Sequence, residues 1–275
     1  MKIAIFYFSG TGNTYFMSKK LKNAFEASHH CDVYAIENHL EDANAIIDDY
    51  DLIGLGYPVY GSSLPDIVFA FIDSLQYHSK SAFTFCTQMM YSGDGAAYGG
   101  RVLGKKGFIV RWQEHVNMPN NITDVSFLTR KKPYNYEKIE RYVTKKAEIF
   151  AKRILSGKPY KKGSNPLSLI LGLVQRVPYE AMEKDVLSCH ILIDHEVCTR
   201  CGLCVKGCPT HHLYLGETKI EQLKSCTLCY RCINHCPVQA MSLSTKQKVK
   251  YPYLGPSKDF EVDDLKKDLI SKTNQ

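Results

Sequence analysis

The chain lacks a long apolar run and an apolar leader, and each absence excludes a class of protein. Its apolar run at residues 167–177 is short, whereas a transmembrane helix needs about 20 residues, so we predict no membrane span. Residues 1–8 lead straight into a predicted strand and lack the cleavage site of a secretory signal. Because disulfides need an oxidising compartment, we expect a cytoplasmic protein whose 11 cysteines stay reduced.

Motifs of hydrolytic and dinucleotide-dependent enzymes are also missing. The glycine- and threonine-rich loop at residues 9–14 has neither the lysine of a P-loop nor the three spaced glycines of a dinucleotide-binding turn. The ten histidines form no metal-binding set, and no Ser/His/Asp arrangement or pair of acids can be argued. We therefore predict no catalytic residues.

Charge is unevenly distributed along the chain. The net charge is +7, but residues 1–100 hold 5 Lys/Arg against 11 Asp/Glu, residues 101–165 hold 16 against 5, and the rest hold 14 against 12. The basic segment could steer an acidic partner protein to the chain or form a solvated helix face. Nucleic-acid binding is a third hypothesis, which would need interleaved aromatic and basic residues on one face.

The loop at residues 9–14 follows a short apolar strand (residues 2–8) and opens a helical pattern from residue 15. A helix N-terminus offers free N–H groups and a positive dipole end to an anion. Hydroxyl donors and glycines that permit close backbone approach come from Ser9, Gly10, Thr11, Gly12, Asn13 and Thr14. We predict a phosphate site here, with a plain turn as the alternative.

Strands and helices alternate through the first 155 residues. Further strands are predicted at residues 32–36, 51–57, 81–87 and 107–116, and helical spacing occurs at 65–75, before 104 and at 135–155. This alternation predicts an α/β fold with a parallel sheet covered on both faces. Such sheets bind ligands at the carboxyl ends of the strands, where the strand order switches.

The pattern Ser/Thr-x-Thr-Gly-x-Thr after the first strand resembles the FMN phosphate loop of flavodoxins. The resemblance implies a flavodoxin-like, doubly wound, five-stranded parallel sheet of order 2-1-3-4-5, with FMN at the ends of strands 1, 3 and 4. The implied ring contacts are Pro58, Val59, Tyr60, Gly61, Thr87, Gln88, Met89, Tyr91 and Gly93. Tyr60 is the first candidate to stack on the flavin and Tyr91 the second, with simple packing as the alternative for both.

Two cysteine runs both read CxxCxxCxxxCP. Three thiolates at three-residue steps can wrap one cubane, while the fourth, followed by proline, reaches the other cluster. The first 4Fe-4S cluster is thereby assigned to Cys198, Cys201, Cys204 and Cys236. The second is assigned to Cys208, Cys226, Cys229 and Cys232. The alternatives are disulfides and zinc sites, although structural zinc usually takes two separated pairs. The runs resemble a bacterial two-cluster ferredoxin.

The order of these features, with the Met118-Pro119 turn, resembles the fused flavodoxin–ferredoxin proteins of the EFR1 family. The resemblance implies four parts: a flavodoxin-like FMN-binding domain, a linker or docking segment, a small α+β two-cluster ferredoxin-like domain and a tail, at 1–156, 157–188, 189–245 and 246–275. The loop after the fourth strand departs from the family, because Gln88-Met89-Met90-Tyr91 replaces a glycine-rich stretch.

The segment at 157–188 has two interpretations. Its apolar run at 167–177 is preceded by Lys158, Lys161 and Lys162. The run could pack between the two domains, which we favour, or lie on a membrane surface. In the tail, a final helix is predicted from Asp259. The cysteines outside the two runs are expected to pack as small hydrophobes; they are Cys31, Cys86 and Cys189.

These expectations lead to two hypotheses on function. FMN can take two electrons together and each cluster carries one, which predicts an electron-transfer protein with a redox partner of ferredoxin type or with an acidic surface. The alternative is a flavin-dependent reductase of a quinone-like molecule, fed by the clusters, with a pocket formed by Met89–Tyr91 and Met118. Against direct use of NAD(P)H, the chain has no second dinucleotide-binding unit. We expect no nucleic-acid partner, and the oligomeric state is not indicated.

Overall fold

The computed structural model describes residues 1–125, 128, 133–186, 191–243 and 249–271. The predicted domain boundaries at 188/189 and 245/246 lie outside these described residues, as does Cys189. The first part of the chain alternates strands with helices, in the order β1 (Lys2–Tyr7), α1 (Asn13–Glu26), β2 (His30–Ala35), α2 (Ala43–Asp48), β3 (Leu52–Pro58), α3 (Asp66–Ser74), β4 (Ser81–Gln88), α4 (Gly95–Gly104), β5 (Ile109–Asn117), α5 (Tyr136–Leu155) and β6 (Tyr160–Lys161).

These strands form one sheet of order β2-β1-β3-β4-β5-β6, in which every neighbouring pair is parallel. The flavodoxin-like fold and the predicted order of the first five strands are confirmed. The expected five strands are one too few, because Tyr160 and Lys161 pair with Trp112 and Gln113. A strand of two residues has no alternation of apolar and polar side chains that a sequence pattern could reveal.

Helices cover both faces of the sheet, and β1 is an interior strand between β2 and β3. Successive residues of β1 therefore point into two different apolar cores, which is why the strand reads as a continuous apolar run instead of alternating. Ile3 and Ile5 join the core under α1 and α5. Ala4 and Phe6 join the core under α2, α3 and α4.

Small and large residues are matched across β3 and β4. Gly54 lies opposite Phe83, and Gly56 lies opposite Phe85. A Cβ atom built on either glycine would overlap the facing aromatic ring. The two glycines therefore leave the space that the phenylalanine rings fill.

The cysteine-rich part is a small α+β unit built as two similar halves. Its elements are β7 (Leu192–Ile193), α7 (Leu203–Gly207), β8 (Leu213–Leu215), β9 (Ile220–Gln222), α8 (Arg231–Asn234) and β10 (Met241–Ser242), with α6 (Pro166–Val186) preceding them. Each cysteine of the second run follows its counterpart by 28 residues, as Cys226 follows Cys198. β7 pairs with β10 and β8 pairs with β9, both antiparallel. Each of these two-stranded sheets therefore contains one strand from each half.

Residues 249–271 return to the first domain and become part of it. Leu269 pairs antiparallel with Val33 at the outer edge of β2. Leu265 is buried in the core under α1, and the hydroxyl of Tyr7 donates to its carbonyl oxygen at 3.1 Å. A 3-10 turn at Val262–Lys266 takes the place of the helix predicted from Asp259. The segment read as a polar tail thus closes one edge of the sheet.

Helix α6 lies on the loops that follow β3 and β4, and it does so with its polar side. Ser168, Gly172 and Arg176, spaced by four residues, are buried against these loops. The apolar residues of the 167–177 run are exposed. The favoured prediction, that this run packs between the two domains, is therefore wrong for these side chains. Among the described residues, no helix is long and apolar enough to cross a membrane.

We expect Gly54→Ala to lower the free energy of unfolding by about 1–3 kcal/mol, since the added methyl group overfills the core. The ring of Phe83 cannot easily give way, because its centroid is 6.0 Å from that of Phe25 and 5.8 Å from that of Phe150. Urea unfolding followed by the fluorescence of the single tryptophan, Trp112, measures the effect.

Gly104→Ala is the matched control. A Cβ at Gly104 meets no atom within 4 Å, so alanine at this helical position should be neutral or stabilising by up to about 1 kcal/mol. Equal destabilisation by the two substitutions would contradict the packing argument.

Candidate flavin and iron–sulfur sites

An open cleft of about 500 Å³ lies at the carboxyl ends of β1, β3 and β4. Twelve of the fifteen predicted flavin contacts line it: Ser9, Gly10, Thr11, Asn13, Thr14, Pro58, Val59, Tyr60, Gly61, Thr87, Gln88 and Met89. The loop after β5 adds Pro119, Asn120 and Asn121. The sheet topology brings these loops to one edge, as expected for a ligand site in this type of fold.

The loop at residues 9–14 has the chemistry of an anion site. It precedes the 14-residue helix α1, and the N–H of Gly12 donates to Ser9 Oγ at 3.1 Å. The hydroxyls of Thr14 and Thr87 are 2.9 Å apart. The hydroxyl of Thr11 is buried without a hydrogen-bond partner in the described part of the chain, and such a group is costly unless a ligand satisfies it. These residues fit a phosphate group.

Gly12 does not line the cleft but supports the loop from behind. It caps α1 with a φ of 98°, and a Cβ on it would lie 2.7 Å from Pro256 and from Phe260. The hydroxyl of Tyr253 donates to Asn13 Oδ1 at 2.5 Å. The returning segment therefore holds the phosphate-type loop on the side away from the cleft.

Tyr60 lies between the cleft and the second cysteine run. Its backbone forms a bridge with Ser63, whose N–H donates to the Tyr60 carbonyl at 2.8 Å. Its hydroxyl is buried and has no hydrogen-bond partner among the described residues. Burial raises the pKa of Tyr60 well above its usual value, and the next cause is the neighbouring Cys229. Stacking of Tyr60 on a flavin stays a prediction.

Tyr91 and Gly93 lie outside the cleft, against α6. The hydroxyls of Tyr91 and Ser168 are 2.5 Å apart, and the Tyr91 ring centroid is 5.9 Å from that of His115. A Cβ on Gly93 would overlap the backbone of Gly172. Tyr91 and Gly93 therefore contact α6 and do not line the cleft in which the flavin ring is predicted to lie. The position of α6 could not be read from the sequence.

In the rest of the loop after β4, the polar side chain of Gln88 is already hydrogen-bonded within the protein. Gln88 Nε2 donates to Asn117 Oδ1 at 2.9 Å, and Gln88 Oε1 accepts from the hydroxyl of Ser92 at 2.5 Å. Met89 is left as the side chain at the cleft, while Met118 is buried in the core under α1. Of the residues expected to form a substrate pocket, Met89–Tyr91 and Met118, Met89 is the one that lines the cleft.

Thiols of the two cysteine runs influence one another. Burial raises the pKa of Cys204 to about 11, and the thiols that act on it are Cys198, Cys236 and Cys201. Burial likewise raises the pKa of Cys232, with Cys229, Cys226 and Cys208 as the largest further causes. Cys236 thus acts on Cys204, and Cys208 acts on Cys232, but Cys204 acts on Cys232 as well. The division of the cysteines into two cluster sets stays a prediction. A metal ion bound to a cysteine favours the thiolate form.

Backbone N–H groups point at these sulfurs. Cys208 Sγ accepts from the N–H of His212 at 3.2 Å, and Cys236 Sγ accepts from the N–H of Ala240 at the same distance. A cavity enclosed by Cys208, Cys226, Cys229 and Cys232 lies in the second set. In the described part of the chain, no three Cys, His, Asp or Glu side chains converge as a single-ion site would require. The arrangement fits a cluster with ligands at its corners.

The two runs share an unusual backbone pattern. The residues before and after the middle cysteine have positive φ in both, at Arg200 and Gly202 in the first run and at Leu228 and Tyr230 in the second. Left-handed backbone is unfavourable for large residues. Tyr230 occupies the position that glycine takes in the first run, and both Leu228 and Tyr230 line the flavin cleft. In the second run, the unfavourable backbone conformation of Leu228 and Tyr230 thus occurs where this run meets the first domain.

Arg231 connects the two sites. It is 2% exposed, and it donates to the carbonyl oxygens of Ser9 (2.9 Å), Gly10 (3.2 Å) and Gly207 (2.7 Å). Its guanidinium also forms a two-pronged ion pair with Glu37, at 2.9 and 2.7 Å. A Cβ on Gly10 would overlap the carbonyl oxygen of Cys229. The phosphate-type loop and the second cysteine run are therefore in direct contact.

Sequence reasoning missed the residues that join the parts. These are Glu37, Tyr179, Leu228, Tyr230, Arg231 and Leu243. Comparing the two runs position by position could have found Arg231, because the first run has the exposed Leu203 at the equivalent place. No local pattern marks Tyr179, which reaches Gly61 and the cleft from α6.

Two family models match separate parts of the chain. Residues 4–108 match the family model of a flavodoxin domain, and residues 190–237 match that of a 4Fe-4S dicluster domain. The comparison with curated proteins gave no match. The chain therefore carries a flavodoxin domain followed by a 4Fe-4S domain, which is the composition of an electron-transfer flavo-iron–sulfur protein.

Several solved structures resemble a little more than half of the chain. Oxidised flavodoxin 2 from Bacillus cereus is 20% identical, with a TM-score of 0.40, over 56% of this chain and 99% of its own. Two-electron reduced Megasphaera elsdenii flavodoxin is 24% identical, with a TM-score of 0.38, over 55% and 98%. The NAD(P)H:acceptor oxidoreductase FerB from Paracoccus denitrificans is 15% identical, with a TM-score of 0.37, over 56% and 97%. Similarity at this level carries no information on what this chain binds.

Thr11→Val should weaken FMN binding about tenfold or more, because it removes one hydrogen bond to a charged phosphate. Fluorescence titration of flavin-depleted protein with FMN gives the dissociation constant. Thr218→Val, at an exposed position in the cysteine-rich unit, is the control and should change nothing. An unchanged dissociation constant in Thr11→Val would show that the buried hydroxyl faces no phosphate.

Arg231→Met should lower the free energy of unfolding by about 3–5 kcal/mol, since it leaves the Glu37 carboxylate buried and unpaired. Urea unfolding followed by Trp112 fluorescence and by cluster absorbance measures the effect on both domains. Adding Glu37→Gln to this variant should recover part of the loss.

Arg200→Met is the control for the same residue type in the first run. Arg200 is exposed and donates to the carbonyls of Gly216 and Glu217, so a loss of at most about 1 kcal/mol is expected. Equal losses from Arg200→Met and Arg231→Met would contradict the role given to the buried pair.

Proposed function

We propose that this chain is a fused flavodoxin–ferredoxin electron carrier of the EFR1 family, in which FMN and two 4Fe-4S clusters exchange electrons within one polypeptide. The observation that carries the proposal is the contact between the two sites. Gly10, in the loop that lines the cleft, packs directly on the backbone of Cys229. Sites packed so closely favour transfer between them over two independent functions.

The residues that would hold FMN come from three loops of the first domain. The loop at 9–14, with the unsatisfied hydroxyl of Thr11, would take the phosphate. The loops at 57–61 and 87–89 would flank the isoalloxazine ring, with Tyr60 as the candidate for stacking and Met89 on the other loop. Tyr179 and Tyr230 would close the cleft from α6 and from the cysteine-rich unit.

The two cluster sites differ in their distance from the cleft. Cys208, Cys226, Cys229 and Cys232 would hold the inner cluster, because Leu228 and Tyr230, next to Cys229 in sequence, line the cleft. Cys198, Cys201, Cys204 and Cys236 would hold the outer cluster. Cys201 is exposed, and so are its neighbours Arg200 and Lys206. This end of the molecule is where we place the docking of an acidic redox partner protein.

When bound, FMN exchanges electrons in pairs or singly and each cluster exchanges one, so the combination links two-electron to one-electron reactions. The chain contributes fixed placement and exclusion of water. Arg231 and Glu37 fix the second cysteine run against the phosphate-type loop, and the buried Cys229 keeps solvent from the contact. No residue of the cleft is assigned a proton-transfer role.

The proposal includes the division of the chain at 156/157, 188/189 and 245/246. It also includes a cytoplasmic location, since the ligand thiols must stay reduced, and no nucleic-acid partner. Lys131 and Lys132, within the basic segment, lie outside the described residues.

The second candidate, a reductase of a quinone-like molecule, is favoured by one observation. Beyond the loops assigned to FMN, the cleft has an apolar lining of Ile122, Val125, Leu128, Leu228 and Leu243. An apolar wall next to a flavin is suited to a flat apolar substrate. The two candidates share their cofactors and differ only in what accepts the electrons.

An anaerobic absorbance titration separates the candidates. Protein with measured iron and FMN content is treated with NADH, then NADPH, then a chemically reduced ferredoxin. We expect no response to either nucleotide and prompt bleaching with the ferredoxin. Prompt bleaching by NADH without a partner would contradict the carrier function. Fast, saturable reoxidation by a soluble quinone, and none by oxidised ferredoxin, would favour the reductase.

Cys201→Ser and Cys229→Ser should have different effects. Each should lose about four of about eight iron atoms per chain. Cys201→Ser removes an exposed ligand of the outer set and should leave FMN content unchanged. Cys229→Ser alters the loop that contacts Gly10 and should also reduce FMN content. Iron and flavin analysis of the purified variants gives both numbers, and loss of FMN in Cys201→Ser would contradict the separate placement of the two sites.

A further inference from the structure

Helix α6 is amphipathic in the opposite sense from an ordinary surface helix. Surface helices bury their apolar stripe and expose their polar side. In α6 the buried positions are Ser168, Gly172 and Arg176, whereas Leu167, Ile170 and Val174 are 66%, 60% and 64% exposed. Leu173 and Val177 are also exposed. The helix therefore presents an apolar ridge to the outside of the molecule.

The polar side of α6 is firmly attached, so the ridge cannot turn inward. Arg176 is buried and bonds the carbonyl of Ser62 at 2.8 Å and the buried Asp94 at 3.2 and 3.3 Å. Gln175 accepts from the hydroxyl of Ser62 at 2.9 Å. Gly172 packs so closely on Asp94 that a Cβ would overlap its carboxylate. These contacts fix which side of the helix faces out.

Basic residues predominate in the sequence around the ridge, although Glu180 follows it on the same helix. Residues 149–179 contain six Lys/Arg and no Asp/Glu. Lys158 and Lys161, which precede α6, are exposed. An open groove of about 520 Å³ beside the ridge is lined by Leu169 and Leu173 together with Arg101 and Lys161. The nearest carboxylate in the groove, Asp94, is paired with Arg101 and Arg176.

We propose that the α6 ridge, Leu167 to Val177 with the flanking Lys158 and Lys161, binds the surface of an anionic lipid membrane. An amphipathic helix with basic flanks lies in the interface with its apolar side among the acyl chains. Pro166 to Val177 spans about 18 Å, which suits lying on a bilayer and not crossing it. A second copy of the chain is a poorer occupant, because two basic flanks would then face each other. This inference does not depend on the proposed function.

Vesicle sedimentation of the cofactor-loaded full chain tests the proposal. One set of vesicles contains phosphatidylcholine alone, and the other contains equal amounts of phosphatidylcholine and phosphatidylglycerol. We expect binding to the anionic vesicles that falls as salt is added. Ile170→Ser with Val174→Ser should weaken it more than about tenfold, through lost apolar burial. Lys158→Glu with Lys161→Glu should weaken it about thirtyfold or more, through lost attraction to the lipid headgroups.

The matched controls alter the same residue types elsewhere on the surface. Leu215→Ser with Leu254→Ser removes two exposed apolar side chains of the cysteine-rich unit and the returning segment. Lys19→Glu with Lys219→Glu reverses two exposed charges. Both controls should bind like the unaltered protein. Iron and FMN content, measured for every variant, reports folding and cofactor binding independently of vesicle binding.

Three outcomes would overturn the proposal. The first is no sedimentation of the unaltered, monomeric protein with anionic vesicles. The second is vesicle binding that Ile170→Ser with Val174→Ser leaves unchanged, which would assign it to another surface. The third is a dimer in solution that the same substitutions convert to a monomer, without vesicle binding, which would make a second copy the occupant of the ridge.

Discussion

The buried ion pair of Arg231 and Glu37 is the interaction on which the arrangement of the two sites depends. Arg231 places all its donors on fixed acceptors: Glu37 after β2, the carbonyls of Ser9 and Gly10 after β1, and the carbonyl of Gly207 in the first cysteine run. A guanidinium taken out of water is tolerated only when it is fully paired. Any displacement of the cysteine-rich unit would leave a charge unpaired, so electrostatics specify this contact more sharply than apolar packing could.

The cysteine-rich unit is nearly symmetric, and its departures from symmetry lie where it meets the first domain. The second run has Leu228, Tyr230 and Arg231 where the first has Arg200, Gly202 and Leu203. Leu228 and Tyr230 line the cleft, and Arg231 bonds the loop at residues 9–14. Arg200 and Leu203 are exposed to solvent. Two halves with one backbone thus acquire different surroundings, and the protein's levers on cluster potentials are charge, burial and hydrogen bonding. For the two clusters proposed above, this asymmetry would be a physical basis for unequal reduction potentials.

Local patterns in the sequence predicted most of the fold and the loops of the cleft, because strand periodicity, the Gly/Thr loop and the cysteine spacing are all short-range signals. What they could not predict depends on contacts distant in sequence. The apolar run at 167–177 did not reveal which of its residues face inward, since that is decided by Asp94 and Ser62. Tyr91 is an aromatic residue in the loop after β4, as a ring contact requires, yet its hydroxyl is bonded to Ser168 of α6 and it lies outside the cleft. Arg231 resembled any arginine in a loop until its partners were placed.

The returning segment at 249–271 has a consequence for how the molecule is assembled. Tyr7 and Leu265 are hydrogen-bonded across 258 positions of sequence, and Leu269 pairs at the edge of β2, a strand that is made long before it. Contacts of such long range are slow to form. A newly made first domain must therefore wait, with Gly12 and the edge of β2 uncovered, until both cysteine runs have left the ribosome. The order of the chain thus makes the residues that cover Gly12 and the edge of β2 available only after both cysteine runs.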